Sequence, residues 1–100
     1  MDISSSVTVG TLNIMLSGRF SFSDHLAFRE TIKQVAQKEV SQIVFDLTRV
    51  EYIDSSALGM LLLARDEASK HKKTITLHGA LGQVKKTLEI AMFSTLFIMN

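Results

Sequence analysis

The stretch from Ile43 to Arg65, IVFDLTRVEYIDSSALGMLLLAR, decides how the rest of the chain is interpreted. It opens with a short apolar run, Ile43–Phe45, which ends at Asp46 and is typical of a central strand covered on both faces. After a loop come Asp54-Ser55-Ser56 and a nearly uninterrupted apolar segment, which predicts a helix over about residues 56–70. The helix therefore begins beside one carboxylate and two hydroxyls.

The Asp-Ser-Ser run has two interpretations that local chemistry leaves open. Backbone N–H groups at a helix N-terminus are unpaired and carry partial positive charge, so Asp54 or Ser55 can accept from them as an ordinary cap. A phosphate on Ser56 would lie in the same favourable field and would add close to two negative charges beside Asp54. Such a modification would leave the core intact and change any surface that docks there.

The helix behind the serines is too apolar to have one solvated side in its first turns. At about 100° per residue, its predicted core face consists of Ala57, Met60, Leu61, Ala64 and Ala68. Leu58 and Leu62 lie off that face, so either a neighbouring helix covers them or they form a partner-binding patch, which we favour. Gly59 costs about 1 kcal/mol relative to alanine. Close packing within the fold and close approach of a partner backbone are both open explanations.

The first part of the chain predicts a hairpin and a helix. Alternating apolar residues flank Gly10-Thr11, a glycine-first pair that suits a type II′ turn, and Gly18 is expected to end the second strand. Ser23 has the chemistry of an N-cap for a helix that reaches about Lys38. The predicted buried stripe of that helix consists of Phe28, Ile32, Val35 and Ala36.

The last part of the chain completes an α/β pattern with the order β-β-α-β-α-β-α-β. Ile75 and Leu77 alternate with threonines in a strand that His78-Gly79 closes, and the terminal TLFIM predicts an edge strand. Between them, one side of a helix carries Leu81, Val84, Leu88 and Ala91. Strand 43–46, helix 56–70 and strand 74–78 form a parallel crossover, expected to be right-handed. Because working surfaces lie beyond the carboxyl ends of such strands, the Asp-Ser-Ser run falls on the rim where function is expected.

Composition excludes several classes of protein. A chain of 100 residues, of which 46% are hydrophobic and 21% charged, is expected to form one globular domain over residues 1–100. The absence of cysteine excludes disulfides, thiolate catalysis and cysteine–metal sites. A net charge of +1 argues against nucleic-acid binding, and the basic run KHKK from Lys70 to Lys73 is interpreted as a solvated helix end.

Location and cofactors are also predicted from what the sequence lacks. The start MDISSSVTVG has no basic or apolar signal-peptide region, and the longest apolar run, ALGMLLLA, is too short for a membrane span. We therefore expect a cytoplasmic protein with no direct membrane insertion. Neither a phosphate-binding loop nor a dinucleotide fingerprint is present, so no cofactor and no metal site are expected.

With strand order, serine pair and apolar helix combined, the chain resembles a STAS domain, the fold of bacterial anti-sigma-factor antagonists. The resemblance covers essentially the whole chain. Its strongest signature is the Ile43–Arg65 stretch, and LSGRF and LHGALGQVKKTLEIAMFSTLFIM match in order and spacing. It implies a small mixed β-sheet of about four to five strands with about three to four helices.

The resemblance also implies a function, partner switching, and a set of site residues. Ser56 is the expected phosphoacceptor, and Asp54 and Ser55 shape the acceptor loop. The unmodified protein would bind an anti-sigma factor that is also a serine kinase with a histidine-kinase-like ATPase domain. Phosphorylation would break that complex, a metal-dependent serine phosphatase would reset it, and the output would be transcription or a related behaviour such as biofilm formation or motility. The expected partner contacts are Gly18, Arg19, Phe20, Ser21, Phe22, Ala57, Leu58, Gly59, Met60 and Leu62.

One position departs from the family pattern, and two other functions compete. Ser21 stands where many antagonists carry an acidic residue, which puts the tuning of the phosphorylation site in question. The first alternative is a non-phosphorylated accessory subunit of a membrane lipid-transport ATPase. The second is a hydrolase with a serine nucleophile, which needs a general base in reach. No Gly-x-Ser-x-Gly elbow surrounds the serines. His25 is expected on the first turn of helix one, His71 at the far end of helix two and His78 at a strand end, each as a solvated or turn residue, so we expect no enzymatic activity.

Overall fold

A five-stranded sheet in the order β1-β2-β3-β4-β5 organises the computed structural model, which describes all of residues 1–100. Its strands and helices confirm the predicted order. They are β1 Asp2–Thr8, β2 Thr11–Phe20, α1 His25–Ile32, β3 Gln42–Ile53, α2 Ser55–Lys70, β4 Thr74–His78, α3 Gly82–Ile90 and β5 Ile98–Met99. Short 3-10 helices span Phe22–Asp24, Lys33–Ala36 and Phe93–Thr95.

Strand direction brings the functional loops to one edge. β1 runs antiparallel to β2, and β2, β3, β4 and β5 run parallel to one another. The carboxyl ends of the parallel strands therefore share one edge of the sheet. The connections into α1, α2 and α3 begin there, which confirms the predicted parallel unit of strand, helix and strand.

The core covers one face of the sheet fully and the other only in part. The buried strand residues alternate with less buried ones; the buried ones are Leu12, Ile14, Leu16, Ile43, Phe45, Leu47, Ile75 and Leu77. Val44 and Asp46, between the buried residues of β3, are only half-buried. The prediction that this strand is covered on both faces is therefore wrong. β3 is also longer than predicted, because pairing with β2 continues to the Phe20–Ile53 pair and absorbs the expected loop.

The hairpin turn lies one residue earlier than predicted. Thr8 pairs with Thr11, so the two turn residues are Val9 and Gly10, with φ values of 43° and 80°. Positive φ at both positions is the geometry of a type I′ turn, and the predicted type II′ turn at Gly10-Thr11 is wrong. Valine seldom adopts positive φ, which explains why residue preferences pointed elsewhere.

The segment around α1 starts and ends differently from the prediction. Ser21, rather than Ser23, is the N-cap of the 3-10 turn that leads into α1. The α-helix ends at Ile32 and continues as a 3-10 helix only to Ala36, which is exposed. The ammonium group of Lys73 closes this end by donating to the carbonyl oxygens of Val35 at 2.6 Å and Gln37 at 2.8 Å. The KHKK run is therefore not wholly a solvated surface.

Three smaller corrections concern the strand and helix ends. Gly18 does not end β2, because pairing with β3 resumes after a register shift between Gly18 and Arg19. Leu81 lies outside α3 and is exposed, whereas Val84 and Leu88 on the predicted face are buried. The C-terminal segment forms the expected edge strand, shortened to Ile98–Met99 because a 3-10 helix occupies Phe93–Thr95.

Candidate functional site

Asp54 is the N-cap of α2 and also ties two loops together. Its Oδ1 accepts from the Ala57 N–H at 2.9 Å, which is the cap bond. Its Oδ2 accepts from the N–H of Phe22 at 3.3 Å, and its own N–H donates to the Phe20 carbonyl at 3.3 Å. One carboxylate therefore starts α2 and holds the β2–α1 connection against it.

The two serine hydroxyls are not needed for the cap. Neither Ser55 Oγ nor Ser56 Oγ makes a hydrogen bond within the chain, since the capping bond comes from Asp54. Ser55 is exposed and Ser56 is half-buried on the first turn of the helix. Of the two interpretations of Asp-Ser-Ser, the cap accounts for the aspartate alone and leaves both hydroxyls free.

Ser21 begins the connection that faces this helix terminus. Its N–H donates to Asp24 Oδ2 at 2.9 Å, and its hydroxyl lies 3.0 Å from the hydroxyl of Ser23. The next residue, Phe22, is exposed and stacks on the ring of His25 with centroids 4.6 Å apart. The residue that replaces the usual acidic side chain therefore has a structural role at the start of α1.

A groove of about 410 Å³ opens between this connection, α1 and α2, with Ser56 on its wall. Its lining consists of Phe22, His25, Arg29, Ser56, Gly59, Met60 and Leu63. Of these residues, His25, Arg29 and Leu63 were not predicted from the sequence to contact a partner. The available signal was spacing, because His25 and Arg29 lie one turn apart on α1, as Gly59 and Leu63 do on α2. Which faces meet depends on how the helices pack, and no single-helix pattern shows it.

The residues expected to contact a partner differ in how deeply they are buried. Phe20, Ala57 and Met60 belong to the core, with Phe20 and Ala57 fully buried, so their side chains shape the surface from beneath. Phe20 packs against Phe28 with ring centroids 5.0 Å apart. The expected contacts that retain accessible surface are Gly18, Arg19, Ser21, Phe22, Leu58, Gly59 and Leu62.

The helix face around Gly59 is open. No atom lies within 4 Å of the position that a Cβ on Gly59 would occupy, so close packing within the fold does not explain the glycine. Leu58 is partly buried against the core, and Leu62 is 36% exposed. Leu63, one residue further, is 44% exposed, so α2 presents adjacent leucines to solvent. The predicted core face of the same helix is confirmed at all of its positions.

The rim beside Asp54 is held by contacts from neighbouring elements. The side-chain amide of Gln83 on α3 donates to the Ile53 carbonyl at 3.1 Å and accepts from the Ile53 N–H at 3.2 Å. The Arg19 guanidinium lies 4.2 Å from the centre of the Tyr52 ring, an arrangement typical of a cation–π contact. The end of β3 is therefore fixed on both sides just before the serines begin.

The histidines do not assemble a catalytic pair with either serine. His25 lies on the first turn of α1, as predicted, and lines the Ser56 groove, and its Nδ1 donates to the Phe22 carbonyl at 2.9 Å. No hydrogen bond joins it to Ser56. His71 contacts Glu67, and His78 contacts Asn100. A serine nucleophile needs a base in hydrogen-bond reach, and the structure holds none in place.

No group of three or more histidine, cysteine, aspartate or glutamate side chains is arranged to hold a metal ion. None of the helices combines the length and the apolar character that crossing a bilayer requires.

Comparison with known proteins assigns a family to this fold. The family model described as "Mlab, STAS domain" matches residues 4–98. A STAS-domain containing protein of Pseudomonas aeruginosa (strain UCBPP-PA14) is 43% identical over 86 residues, which cover 86% of this chain and 84% of the relative.

Solved structures share the fold at lower identity. The unphosphorylated form of the anti-sigma factor antagonist SpoIIAA superposes with a TM-score of 0.78 at 22% identity, over 99% of this chain and 87% of that one. A putative anti-sigma factor antagonist from Thermotoga maritima gives a TM-score of 0.86 at 15% identity, over 97% and 84%. A sulfate transporter family protein from Wolinella succinogenes gives 0.76 at 16% identity, over 94% and 80%. The fold is that of the anti-sigma-factor antagonists, and the chain belongs to the STAS domain family.

Proposed function

We propose that this protein is a phosphorylation-switched interaction module of the anti-sigma-factor-antagonist type, with Ser56 as the phosphoacceptor. The unmodified protein binds a serine kinase that also acts as an anti-sigma factor or an equivalent regulator. The kinase transfers the γ-phosphoryl group of ATP to Ser56 Oγ, ADP leaves, and the hydroxyl proton is released. The complex then separates, and a metal-dependent phosphatase hydrolyses the phosphoserine to reset the protein. We propose that the cycle runs in the cytoplasm.

The observation that carries the proposal is the free hydroxyl of Ser56 at a helix terminus already capped by Asp54. Because the cap bond does not involve this hydroxyl, a phosphate can be attached without removing a structural contact. Unpaired N–H groups of the first turn and the positive end of the helix dipole favour the added charge. Support also comes from the fold, since SpoIIAA has been solved in unphosphorylated and phosphorylated forms.

The proposed docking surface combines the groove with the exposed leucines of α2. Phe22 and Leu62 offer apolar area, and Gly59 allows a partner backbone to approach the helix. Asp54 keeps the acceptor loop in position, and Ser55 is exposed beside it. A phosphate on Ser56 would add nearly two negative charges to the edge of this surface, which would disfavour the complex that formed before phosphorylation.

Binding measured for three proteins tests the proposal. Wild type, Ser56→Ala and Ser56→Asp are each titrated with candidate kinase domains from the same genome, then incubated with ATP and weighed as intact proteins. We expect wild type and Ser56→Ala to bind, Ser56→Asp to lose binding, and wild type alone to gain one phosphate. Equal binding by all three, with no phosphate on any, contradicts the switch.

An accessory subunit of a membrane lipid-transport ATPase is the second candidate. The exposed Leu62 and Leu63 favour it, because they offer a docking surface that does not depend on the serines. This candidate predicts that Leu62→Ser weakens binding to the ATPase subunit while Ser56→Asp leaves it unchanged. Loss of binding in Ser56→Asp contradicts this candidate and supports the switch.

A further inference from the structure

Resting on the proposed modification of Ser56, we propose that Arg29 and His25 form an intramolecular latch for the phosphoserine. In this latch the phosphate turns into the groove between α1 and α2, where it binds the Arg29 guanidinium beside the His25 ring. The inference rests on these two side chains, which line the same groove as Ser56.

Arg29 is a free cation in the groove. It makes no hydrogen bond and no salt bridge, and it is exposed. Arg29 lies in the last turn of α1, where a positive charge interacts favourably with the helix dipole. That interaction does not explain why the side chain lines the same groove as Ser56. Guanidinium groups bind phosphate through paired N–H donors, so this side chain has the chemistry that the modified serine needs.

The carboxylates near Arg29 form no salt bridge with it, and all of them except Asp66 already have partners, which for Glu67 are Lys70 and His71. Both oxygens of Asp54 accept backbone N–H bonds, at 2.9 and 3.3 Å. Asp24 accepts from Ser21 at 2.9 Å and from the chain's terminal amine at 3.3 Å. Glu30 pairs with Lys33 at 3.0 Å. Asp66 shares a wider surface depression with Arg29, and no salt bridge joins them. The positive charge in the groove is therefore unneutralised before phosphorylation.

His25 presents one ring nitrogen for the same purpose. Its Nδ1 donates to the Phe22 carbonyl at 2.9 Å, so that nitrogen carries a proton and is committed. Stacking on Phe22, with the rings inclined by 14°, fixes the plane of the imidazole. Nε2 has no partner, and in the imidazolium form of the ring this nitrogen donates to a phosphate that enters the groove.

The latch adds a second way in which phosphorylation breaks the complex. In the unmodified protein the groove is open and Arg29 is available to a partner. Once the phosphate binds Arg29, it occupies part of the groove and neutralises the cation, so the docking surface changes shape as well as charge. Release then does not depend on repulsion alone.

The test uses phosphoserine incorporated at position 56 during translation, so that no kinase is needed. Melting temperatures are compared for phosphorylated and unphosphorylated forms of wild type, Arg29→Gln and Arg49→Gln. The last is the matched control, because Arg49 is an exposed arginine on β3 that does not line the groove. A ³¹P titration of each phosphorylated protein reports whether the phosphate contacts a cation.

In each protein, the change in melting temperature on phosphorylation is measured. If the latch forms, this change is about 4 °C less favourable in Arg29→Gln than in wild type and Arg49→Gln. The latch also predicts that the second pKa of the phosphate is lower in those two proteins than in Arg29→Gln, since a nearby cation favours the dianion. Equal shifts and equal titrations in all three proteins overturn the latch. A kinase that fails to modify Ser56 overturns the proposed function, and it leaves this measurement unaffected.

Discussion

Replacing Gly59 with alanine is expected to stabilise the protein and weaken its binding to the partner. Gly59 is exposed within α2, and no atom lies within 4 Å of the position that its Cβ would take. An alanine there meets no clash and removes the conformational penalty of a mid-helix glycine, about 1 kcal/mol. For a domain of this size that gain corresponds to a rise in melting temperature of about 4 to 8 °C.

The effect on binding has the opposite sign because the methyl group enters the proposed contact surface. Gly59 lines the groove that contains Ser56, and a closely packed interface tolerates an added methyl poorly, at about 1 to 3 kcal/mol. The lower end of that range corresponds to about a fivefold loss of affinity. A more stable protein that binds less well is difficult to explain by damage to the fold.

The assay pairs urea unfolding with titration of the kinase domain. Ser69→Ala is the matched control, since Ser69 is exposed in the last turn of the same helix and outside the Ser56 groove. The control should gain about half a kcal/mol of stability and keep wild-type affinity. Either of two results refutes the reasoning. The first is a Gly59→Ala protein that is less stable than wild type, and the second is a Gly59→Ala protein that binds the kinase domain as tightly as wild type does.

Three further predictions concern the framework of the site. Asp54→Ala removes both hydrogen bonds made by the carboxylate and should lower the free energy of unfolding by about 1 to 2 kcal/mol in urea titrations; an unchanged midpoint contradicts its capping role. Gly79→Ala should destabilise the protein, because Gly79 has a φ of 75° and a Cβ there would overlap the Thr48 methyl. A melting temperature equal to that of wild type, measured by calorimetry, would argue against this packing. Hydrogen bonds from the hydroxyl and N–H of Thr48 lower the pKa of Asp46 below its ordinary value of 3.8. Ionised Asp46 therefore stabilises the folded protein above pH 3.8, and this contribution to the free energy of unfolding is lost as the pH falls through the lowered pKa. The difference in free energy of unfolding between wild type and Thr48→Val should therefore become smaller in acid. A difference that does not change with pH would show that it does not come from the Thr48–Asp46 hydrogen bond.

Much of the fold was predictable because its signals are local. The core face of α2 follows from helical spacing, and every residue predicted for it is buried. The order of strands and helices along the chain was equally clear, since strands and helices differ in the period of their apolar residues. The hairpin turn was predicted at the wrong residues because Val9 adopts a backbone conformation that valine seldom takes.

The site was predictable only in part because a groove is a property of two packed helices. The tripeptide at the start of α2 was identified from its residues, and the role of Asp54 as the cap was one of two open possibilities. The contributions of His25 and Arg29 depend on how α1 lies against α2, and the burial of Phe20 depends on β2 extending past Gly18. No local pattern contains that information.

The most direct measurement is the mass of the protein purified from its own host, with any phosphate located by fragmentation. The account predicts a fraction of molecules with one phosphate, on Ser56, and none in a strain that carries Ser56→Ala. Protein that is unmodified under every growth condition, or a phosphate on another residue such as the adjacent Ser55, would contradict it.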